Sequence, residues 1–307
     1  MKLIQTTALV LLMAGTPPAQ AANDNQNQRS ESAATDDEEL AIAALEGLMM
    51  QPSARSLPIL KKVLAGSQST VVKRRALFVL SQVNSPEARE ILMQTARSPN
   101  SELRGEAIRS IGISGDSKSL DALQEVYKTG EADLKKDILQ AWMIAGRKEA
   151  VYQAALNAKT EDEASDAIHM LGVMGARDEL RKLGDRPHTS SGLIDALAIS
   201  GDLDGLRKIA DGTGEHSLRV DAVRRIGIIH SEAARAALRD IYARNTDGEM
   251  KDAALQGMLI AQDDKGVLAL YRAAKTTDEK RSLMRMLSMM NGDAALEAID
   301  ATLEKKP

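Results

Sequence analysis

The sequence contains no cysteine among its 307 residues, and its aromatic content is only 2%. Without cysteine there are no disulfides, no cysteine nucleophiles and no thiolate metal sites. The scarcity of aromatic residues removes the platform on which single-stranded nucleic acids usually stack. Lysine and arginine total 40 against 44 aspartate and glutamate, which leaves a net charge of −4 rather than the positive excess that phosphate binding requires. Nucleic acid is therefore not an expected partner.

Proline is also scarce, with 8 residues, whereas 43% of the chain is hydrophobic. The apolar residues are mainly alanine, leucine, isoleucine, valine and methionine, which pack helices well, and the residues that favour sheets are few. This composition predicts a folded all-α protein rather than a disordered chain.

The first 21 residues have the features of a secretory signal peptide. Lys2 precedes an apolar run over 3–14, a proline pair ends any helix there, and Ala19 and Ala21 are the small residues of a cleavage site. The apolar run is too short to span a bilayer, and no later segment reaches that length. We therefore expect cleavage after Ala21 and an exported mature protein, periplasmic in a bacterium or secreted, without a transmembrane segment.

The chain after this signal divides into a polar leader and a folded segment. Residues 22–35 contain no large apolar side chain and are predicted to be disordered. Thr35 and Glu38 form a plausible capping box, so the folded segment is predicted to cover 36–307.

An apolar pattern recurs nine times in the folded segment. Each occurrence is a small or aliphatic residue, then an aliphatic residue, then another apolar residue three places later. The nine occurrences are Ala44-Leu45 with Leu48, Ala76-Leu77 with Leu80, Ala107-Ile108 with Ile111, Ile138-Leu139 with Trp142, Ala167-Ile168 with Leu171, Leu193-Ile194 with Leu197, Ala222-Val223 with Ile226, Ala254-Leu255 with Met258, and Leu283-Met284 with Leu287. The spacing within each occurrence marks one face of a helix. The intervals of 26 to 32 residues between occurrences are typical of a stacked repeat array.

Each repeat has room for a second helix. A turn follows the first helix and often contains glycine and aspartate, as at Gly115-Asp116 and Gly201-Asp202, where glycine can end one helix and aspartate can cap the next. A second periodic apolar stretch follows, such as Leu203, Leu206 and Ile209. Two short helices cannot bury their apolar faces alone, so the sequence predicts about nine stacked helix pairs with one continuous core.

Five of the repeats share a hydrophobic residue and a basic residue before the pattern. They are Val72-Lys73, Leu103-Arg104, Leu134-Lys135, Leu218-Arg219 and Met250-Lys251. This arrangement resembles the HEAT repeat, especially its short bacterial, phycobilisome lyase-type form. The resemblance implies a right-handed α-α superhelix, an armadillo/HEAT-like solenoid, that offers its concave face to a protein partner. Tetratricopeptide and ankyrin repeats fit less well, because their period and signature residues are absent.

Two repeats depart from this pattern. Ala164 and Ser190 occupy the basic position in the fifth and sixth units, whose patterns are only 26 residues apart. The sequence therefore predicts a kink, a distorted repeat or a functional loop near 184–192.

No catalytic, cofactor-binding or metal site is predicted. Phosphate-loop, dinucleotide and nucleophile-elbow motifs are absent. Glu163, Asp166 and His169 lie on one predicted helix and could hold a metal weakly. A solvated polar face is the favoured interpretation, because no second histidine stands at ligand spacing.

All four tyrosines fall in predicted second helices, namely Tyr127, Tyr152, Tyr242 and Tyr271. In HEAT-like solenoids those helices line the concave face, so the resemblance makes these residues candidates for partner binding, and tyrosine is a common hot-spot residue. The alternative is that the rings cap the core between layers while the hydroxyl reaches water.

A basic stretch without acidic residues lies between Gly47 and Pro86. Its candidate contact residues are Arg55, Lys61, Lys62, Arg74 and Arg75, alongside Lys73 at the basic position of its repeat. It could dock an acidic partner or bind an anionic envelope surface, or simply be the polar face of ordinary helices.

Methionines cluster in the last units. Met250, Met258 and Met284 occupy core positions, while Met286, Met289 and Met290 could form part of a terminal cap. Methionine can also make an adaptable binding surface, but core filling is favoured.

The sequence thus predicts a non-catalytic, exported scaffold or adaptor that binds a protein or peptide. The alternative is an accessory or regulatory subunit of an envelope enzyme, or a lyase-like catalyst, with a polar pocket around Arg186-Pro187-His188.

Overall fold

The computed structural model describes residues 36–98, 102–184, 190–290 and 292–304. Within these ranges the regular structure is entirely helical, which confirms the all-α prediction. The predicted signal peptide (1–21), the polar leader (22–35) and the tripeptide 186–188 lie outside the described residues.

The described residues form nine consecutive helix pairs, as predicted. The pairs are α1 (36–47) with α2 (Ser53–Ala65), α3 (Thr70–Gln82) with α4 (Pro86–Ala96), α5 (Arg104–Ser114) with α6 (Ser117–Thr129), α7 (Ala132–Ile144) with α8 (Lys148–Leu156), α9 (Glu161–Val173) with α10 (Arg177–Gly184), α11 (Ser191–Ile199) with α12 (Leu203–Ala210), α13 (His216–Ile226) with α14 (Glu232–Arg244), α15 (Gly248–Ile260) with α16 (Asp264–Ala273), and α17 (Thr277–Met290) with α18 (Asp293–Leu303). Short 3-10 turns follow two first helices, at Leu48–Met50 and Gly227–Ile229.

The recurring apolar pattern lies on the first helix of every pair, except that Leu48 falls in the 3-10 turn after α1, and it forms the core. Its residues are buried except for Ala44, which is exposed, and Leu48, Ile168 and Met284, which are half-buried. Burial of this one face explains why the pattern returns once per pair, since each pair needs its neighbours to cover that face.

The turns between paired helices also follow the sequence-based prediction. Gly115 and Gly201 adopt left-handed conformations, with φ of 65° and 70°. The next residue caps the following helix: Asp116 accepts a hydrogen bond from the Ser119 N–H, and Asp202 accepts one from the Gly205 N–H. A side chain on Cβ makes this conformation unfavourable, which is why glycine stands at these turns.

The chain divides into two compact units, with the boundary between Glu90 and Ile91 inside α4. In the second unit, successive first helices from α5 to α17 pack directly against one another. Some of these helices approach backbone to backbone. A Cβ added at Gly112 would lie 2.8 Å from Ala141 Cα, and one added at Gly172 would lie 2.8 Å from Ala196 Cα.

The short interval between the fifth and sixth repeats has a local cause. Helix α10 has 8 residues and α11 has 9, whereas α9 has 13. Shortened helices therefore account for the interval, while the predicted kink stays a prediction because 185–189 are outside the described residues.

Candidate functional site

The tyrosines lie on second helices, as predicted, but they are less accessible than freely exposed contact residues. Tyr242 is buried, and Tyr127, Tyr152 and Tyr271 are half-buried. Lys182 Nζ lies 5.7 Å from the centroid of the Tyr152 ring, and the Tyr271 hydroxyl contacts Thr302 Oγ1. These positions agree with rings that pack at the edge of the core.

Two of the tyrosines belong to clusters with the same composition. In the Tyr127 cluster, Lys135 Nζ lies 2.6 Å from Glu163 Oε1 and 5.5 Å from the centroid of the Tyr127 ring. In the Tyr242 cluster, Lys251 Nζ lies 3.0 Å from Glu279 Oε1 and 4.3 Å from the centroid of the Tyr242 ring.

The repeat itself builds both clusters. Lys135 and Lys251 occupy the basic position of a first helix, and each pairs with a glutamate of the following repeat. The Glu163 N–H donates to Thr160 Oγ1, and the Glu279 N–H donates to Thr276 Oγ1, so each glutamate stands in the capped first turn of the next first helix.

The two clusters differ at the tyrosine hydroxyl. Tyr242 donates to Glu279 Oε1 at 3.1 Å, whereas the Tyr127 hydroxyl is buried and has no hydrogen-bond partner among the described residues. Burial, with the nearby carboxylates of Glu163 and Asp166, raises the pKa of Tyr127 to about 12. Burial likewise raises the pKa of Tyr242, so both phenols remain protonated donors at neutral pH.

A cavity of about 590 Å³ adjoins the Tyr127 cluster. It is lined by Gln124, Tyr127, Lys128, Lys135, Trp142, Ala150, Gln153, Ala154, Asn157, Lys159 and Glu163. The ring centroids of Tyr127 and Trp142 are 5.2 Å apart, with 38° between their planes. The Trp142 indole N–H donates to the Leu120 carbonyl at 3.2 Å, which fixes the ring in place.

The basic stretch is only partly available for binding. Lys61 pairs with Glu87 and Arg75 pairs with Glu46, the two acids that flank the acid-free segment. The Arg75 guanidinium also lies 4.7 Å from the centroid of the Phe78 ring. Arg55, Lys62 and Arg74 are exposed, and Lys61 is exposed as well despite its ion pair.

The repeat also presents a row of aliphatic side chains that the sequence analysis missed. Two residues after the third apolar residue of each pattern, seven consecutive units carry an aliphatic residue, here called the aliphatic stripe. It consists of Ile113, Ile144, Val173, Ile199, Ile228, Ile260 and Met289. Ile113 and Ile228 are half-buried, and the other five are between 38% and 59% exposed.

The aliphatic stripe runs across neighbouring helices. All seven residues belong to the second unit, six on first helices and Ile228 on the 3-10 turn that follows α13. Because packed helices are roughly 8–10 Å apart, successive members of the stripe are separated by about one helix diameter. Writing the repeats in register would have revealed this position, because the core pattern does not require an apolar residue there.

The carboxylates that were considered, and disfavoured, as weak metal ligands form ion pairs with lysines. Glu163 pairs with Lys135, and Asp166 Oδ2 lies 3.5 Å from Lys136 Nζ. Among the described residues, no group of three or more histidine or acidic side chains is placed to hold a metal ion. In the same part of the chain, no helix has both the length and the apolar character needed to cross a membrane.

A second cavity, of about 600 Å³, lies near the irregular repeats. It is lined mainly by α10, α12 and the start of α13, including Leu180, Arg181, Ile209 and Arg219. The polar pocket predicted around residues 186–188 stays a prediction, because those residues are outside the described ranges.

Comparison with known proteins agrees with the HEAT-like architecture. The family model of HEAT repeats matches residues 57–142, and no curated protein matches the chain by sequence. The fold is similar to human deoxyhypusine hydroxylase in complex with glycerol, at 16% identity and a TM-score of 0.33, over 82% of this chain and 97% of that chain. It is also similar to the complex of CpcE and CpcF of phycocyanin lyase from Nostoc sp., at 18% identity and a TM-score of 0.33, over 76% of this chain and 94% of that chain. The family match over 57–142 confirms the resemblance to HEAT repeats, and the described residues fold as consecutive HEAT-like helix pairs.

Proposed function

We propose that this protein is an exported, non-catalytic scaffold or adaptor that binds a protein or peptide partner along the aliphatic stripe. The observation that supports this function is the recurrence of an aliphatic residue at one repeat position in seven consecutive units, exposed in five of them and half-buried in two. A single exposed aliphatic residue is normal on a protein surface, but a row of them marks an interaction site.

The spacing of the aliphatic stripe defines the partner. Because neighbouring helices pack about 10 Å apart, successive side chains of the stripe are separated by about that distance. Seven residues of a partner α-helix rise about 10.5 Å, which is a similar distance. An amphipathic helix with apolar residues at heptad spacing therefore matches the stripe.

The position of the stripe supports the same function. First helices in the second unit pack more closely in succession than second helices do, except at the last step, where α16 and α18 are in closer contact than α15 and α17. In a curved stack the more closely spaced row is the inner one, which favours the first helices, and with them the stripe, on the concave side. The family resemblance implies the opposite arrangement, with the tyrosine-bearing second helices on the concave face, and that arrangement stays a prediction.

The test compares two triple variants on the same helices. Ile144→Gln, Val173→Gln and Ile260→Gln remove exposed aliphatic side chains from α7, α9 and α15. The matched control, Gln140→Ala, His169→Ala and Gln256→Ala, alters exposed residues one turn earlier on those helices. Partners are captured by crosslinking the mature chain in an envelope extract of its own host and are identified by mass spectrometry.

We expect the stripe variant to lose capture of its main partner by roughly tenfold or more, because about three apolar contacts disappear. The control variant should capture that partner normally, and both variants should keep the wild-type melting temperature. Equal capture by the two folded variants would refute binding along the stripe.

The alternative is an accessory or regulatory subunit of an envelope enzyme, or a lyase-like catalyst. The cavity between α10, α12 and α13 is the feature that favours it, since a ligand or a partner loop has room there. An activity of the captured partner that changes when the purified chain is added would favour the regulatory function. An unchanged activity would favour the scaffold.

A further inference from the structure

The first and the last described helix pair each expose a set of apolar side chains. Helix α18 carries Leu296, Ile299 and Leu303 on one face, where they are 68%, 37% and 78% exposed. In the first pair, α1 exposes Leu40, at 71%, and Ala44 one turn later. Terminal repeats of a solenoid normally carry polar outer faces, so both pairs differ from ordinary caps.

The repeat position of Leu296 indicates what would cover it. In α2, α6, α12 and α16, a small buried residue near the helix start precedes an aliphatic residue that is at most 5% exposed. These dipeptides are Ser56-Leu57, Ser119-Leu120, Gly205-Leu206 and Gly266-Val267. Ala295-Leu296 is the same dipeptide of α18, and there the aliphatic residue is exposed. Helices α12 and α16 pack more closely on the first helix of the next pair than on that of their own pair. The exposed face of α18 is therefore suited to the first helix of a further pair.

The exposed residues of α1 stand where other first helices bury theirs. Leu40 lies four residues before the recurring pattern begins, which is the place of Val72 and Met250, each only 2% exposed. Ala44 begins the pattern as Ala76 does, and Ala76 has no exposed surface. Helix α1 therefore offers the face that a preceding pair would cover.

An ion pair between two second helices shows which of their positions meet. Lys61 on α2 pairs with Glu87 on α4. Lys61 lies five residues after the small buried Ser56, and Glu87 lies one residue before Ala88, which is the small buried residue of α4. Stacked second helices can thus join these two positions by an ion pair.

Asp300 and Arg55 carry opposite charges at the same two positions of the last and the first pair. Asp300 lies five residues after Ala295 of α18, and Arg55 lies one residue before Ser56 of α2. Both side chains are exposed, and neither forms an ion pair within the described residues. A second copy stacked on α18 would bring its Arg55 close to Asp300, with the signs reversed relative to Lys61 and Glu87.

The first helices have complementary charges as well. Lys280 occupies the basic position of α17, from which Lys135 and Lys251 pair with glutamates of the following repeat on their own helices. Its ammonium group forms no ion pair in the part of the chain that the structure describes. Residues 36–39, in the first turn of α1, are all acidic. Lys280 would therefore face a negative helix start in a second copy.

We propose that this protein associates head to tail, so that α17 and α18 of one copy receive α1 and α2 of a second copy. Contact between two identical ends would instead bring charges of one sign together. A head-to-tail contact is heterologous, so its repetition gives a ring or an open filament. The aliphatic stripe takes no part in this contact, so the proposal does not rest on the proposed function.

The experiment is sedimentation velocity on the mature chain and on two end variants. Leu296→Glu with Leu303→Glu blocks the face of α18, and Leu40→Glu with Ala44→Glu blocks the face of α1. Wild type should grow beyond one chain as its concentration rises from about 1 µM to about 1 mM. Each end variant alone should stay monomeric. An equimolar mixture of the two should form a species of two chains and nothing larger, because each copy keeps one working face.

An exchange of charge tests the register. Asp300→Arg and Arg55→Asp should each weaken association by about two- to fivefold, and a chain with both changes should regain it. The triple variant of the aliphatic stripe is the control and should associate like wild type. Circular dichroism establishes that each variant is folded, and all the substituted residues of the two end faces are exposed.

Four results would overturn the proposal. They are a wild-type chain that stays monomeric over the whole range, an end variant that associates with itself, a mixture of the end variants that stays monomeric, and a doubly exchanged chain that associates no better than the single variants.

Discussion

The Tyr242 hydroxyl donates to Glu279 Oε1 at 3.1 Å and thereby joins α14 to α17 across more than one repeat. The Tyr127 hydroxyl, in the equivalent cluster, has no partner among the described residues although it is buried. The same residue type at equivalent places is therefore hydrogen-bonded in one cluster and unpaired in the other.

Tyr242→Phe should lower the free energy of unfolding by about 1–2 kcal/mol, because it leaves Glu279 with one donor fewer and removes a partly buried hydrogen bond. Tyr127→Phe should leave the free energy of unfolding unchanged or raise it slightly, since it removes an unpaired buried hydroxyl. Urea unfolding of the two variants side by side measures both effects. A larger loss for Tyr127→Phe than for Tyr242→Phe would contradict this account.

Substitutions of two buried aspartates at the same repeat position should also differ in how much they destabilise the fold. Asp202 accepts hydrogen bonds from two nitrogens of Arg181, Nε at 2.7 Å and Nη2 at 2.5 Å. Asp263 accepts hydrogen bonds from only one nitrogen of Arg239, Nη1, which lies 3.1 Å from each of its carboxylate oxygens. A two-nitrogen fork is the stronger arrangement. We expect Asp202→Asn to destabilise the fold by about 2 kcal/mol and Asp263→Asn by clearly less, as measured by urea unfolding. Equal losses of unfolding free energy would show that the second arginine nitrogen adds no stability.

The pH dependence of these aspartates should have opposite signs. For Asp202, burial raises the pKa, but the hydrogen bonds from Arg181 and from the Gly205 N–H outweigh it, so its folded pKa lies below the usual value. Its contribution to stability is therefore present above the unfolded pKa of about 3.9 and is lost as the pH falls through the folded pKa.

For Asp263, burial keeps the folded pKa above the usual value despite Arg239. Its ionisation weakens the fold, and that penalty disappears as the pH falls through the raised pKa. Relative to wild type, Asp202→Asn should therefore flatten the acid loss of stability, and Asp263→Asn should steepen it. Unfolding curves from neutral pH down to about pH 3 measure both slopes, and identical slopes for the two variants would be the contrary result.

The close approach of first helices predicts the effect of a single methyl group. Gly172→Ala would place Cβ 2.8 Å from Ala196 Cα and 3.0 Å from the Ala196 carbonyl oxygen. The two helices must separate, so we expect a loss of about 1–3 kcal/mol in unfolding free energy. Gly214→Ala is the control, because a Cβ there meets nothing within 4 Å. A melting temperature of Gly172→Ala equal to that of Gly214→Ala would argue against rigid contact between α9 and α11.

The proposed export predicts a processed chain. Protein purified from its host should begin at Ala22 and should come from the envelope fraction, because Ala19 and Ala21 suit a signal peptidase. Intact mass and N-terminal sequencing measure this directly. Ala21→Arg should block processing, whereas a wild-type chain that keeps residues 1–21 in the cytoplasm would exclude the proposed compartment.

The helix pairs were predictable from the sequence because their cause is local and repeated. Ala107 and Ile108 lie one period from Ile138 and Leu139, and burial of that face requires the same residue types each time. The turn at Gly115-Asp116 was predictable for a similar reason, since the left-handed residue and the cap are adjacent in sequence.

The contacts of the tyrosines were not predictable in this way. Whether a tyrosine hydroxyl donates a hydrogen bond to a glutamate depends on how its second helix packs against the next two first helices, as Tyr127 and Tyr242 show. The basic stretch was predicted from an acid-free segment, yet Glu46 and Glu87 just outside it neutralise two of its charges. Distances between repeats, rather than composition, decide both cases.

In the binding proposed above, the aliphatic stripe would measure the length of a partner. Each of its seven repeats contributes one apolar side chain, so the partner would be recognised by the number and spacing of its own apolar residues. Deletion of one whole repeat would remove one apolar side chain from the stripe and leave the spacing of the others unchanged. Deletion of half a repeat would disrupt that spacing. Evolution by duplication of repeats would then alter which partners fit without altering the chemistry of any single contact.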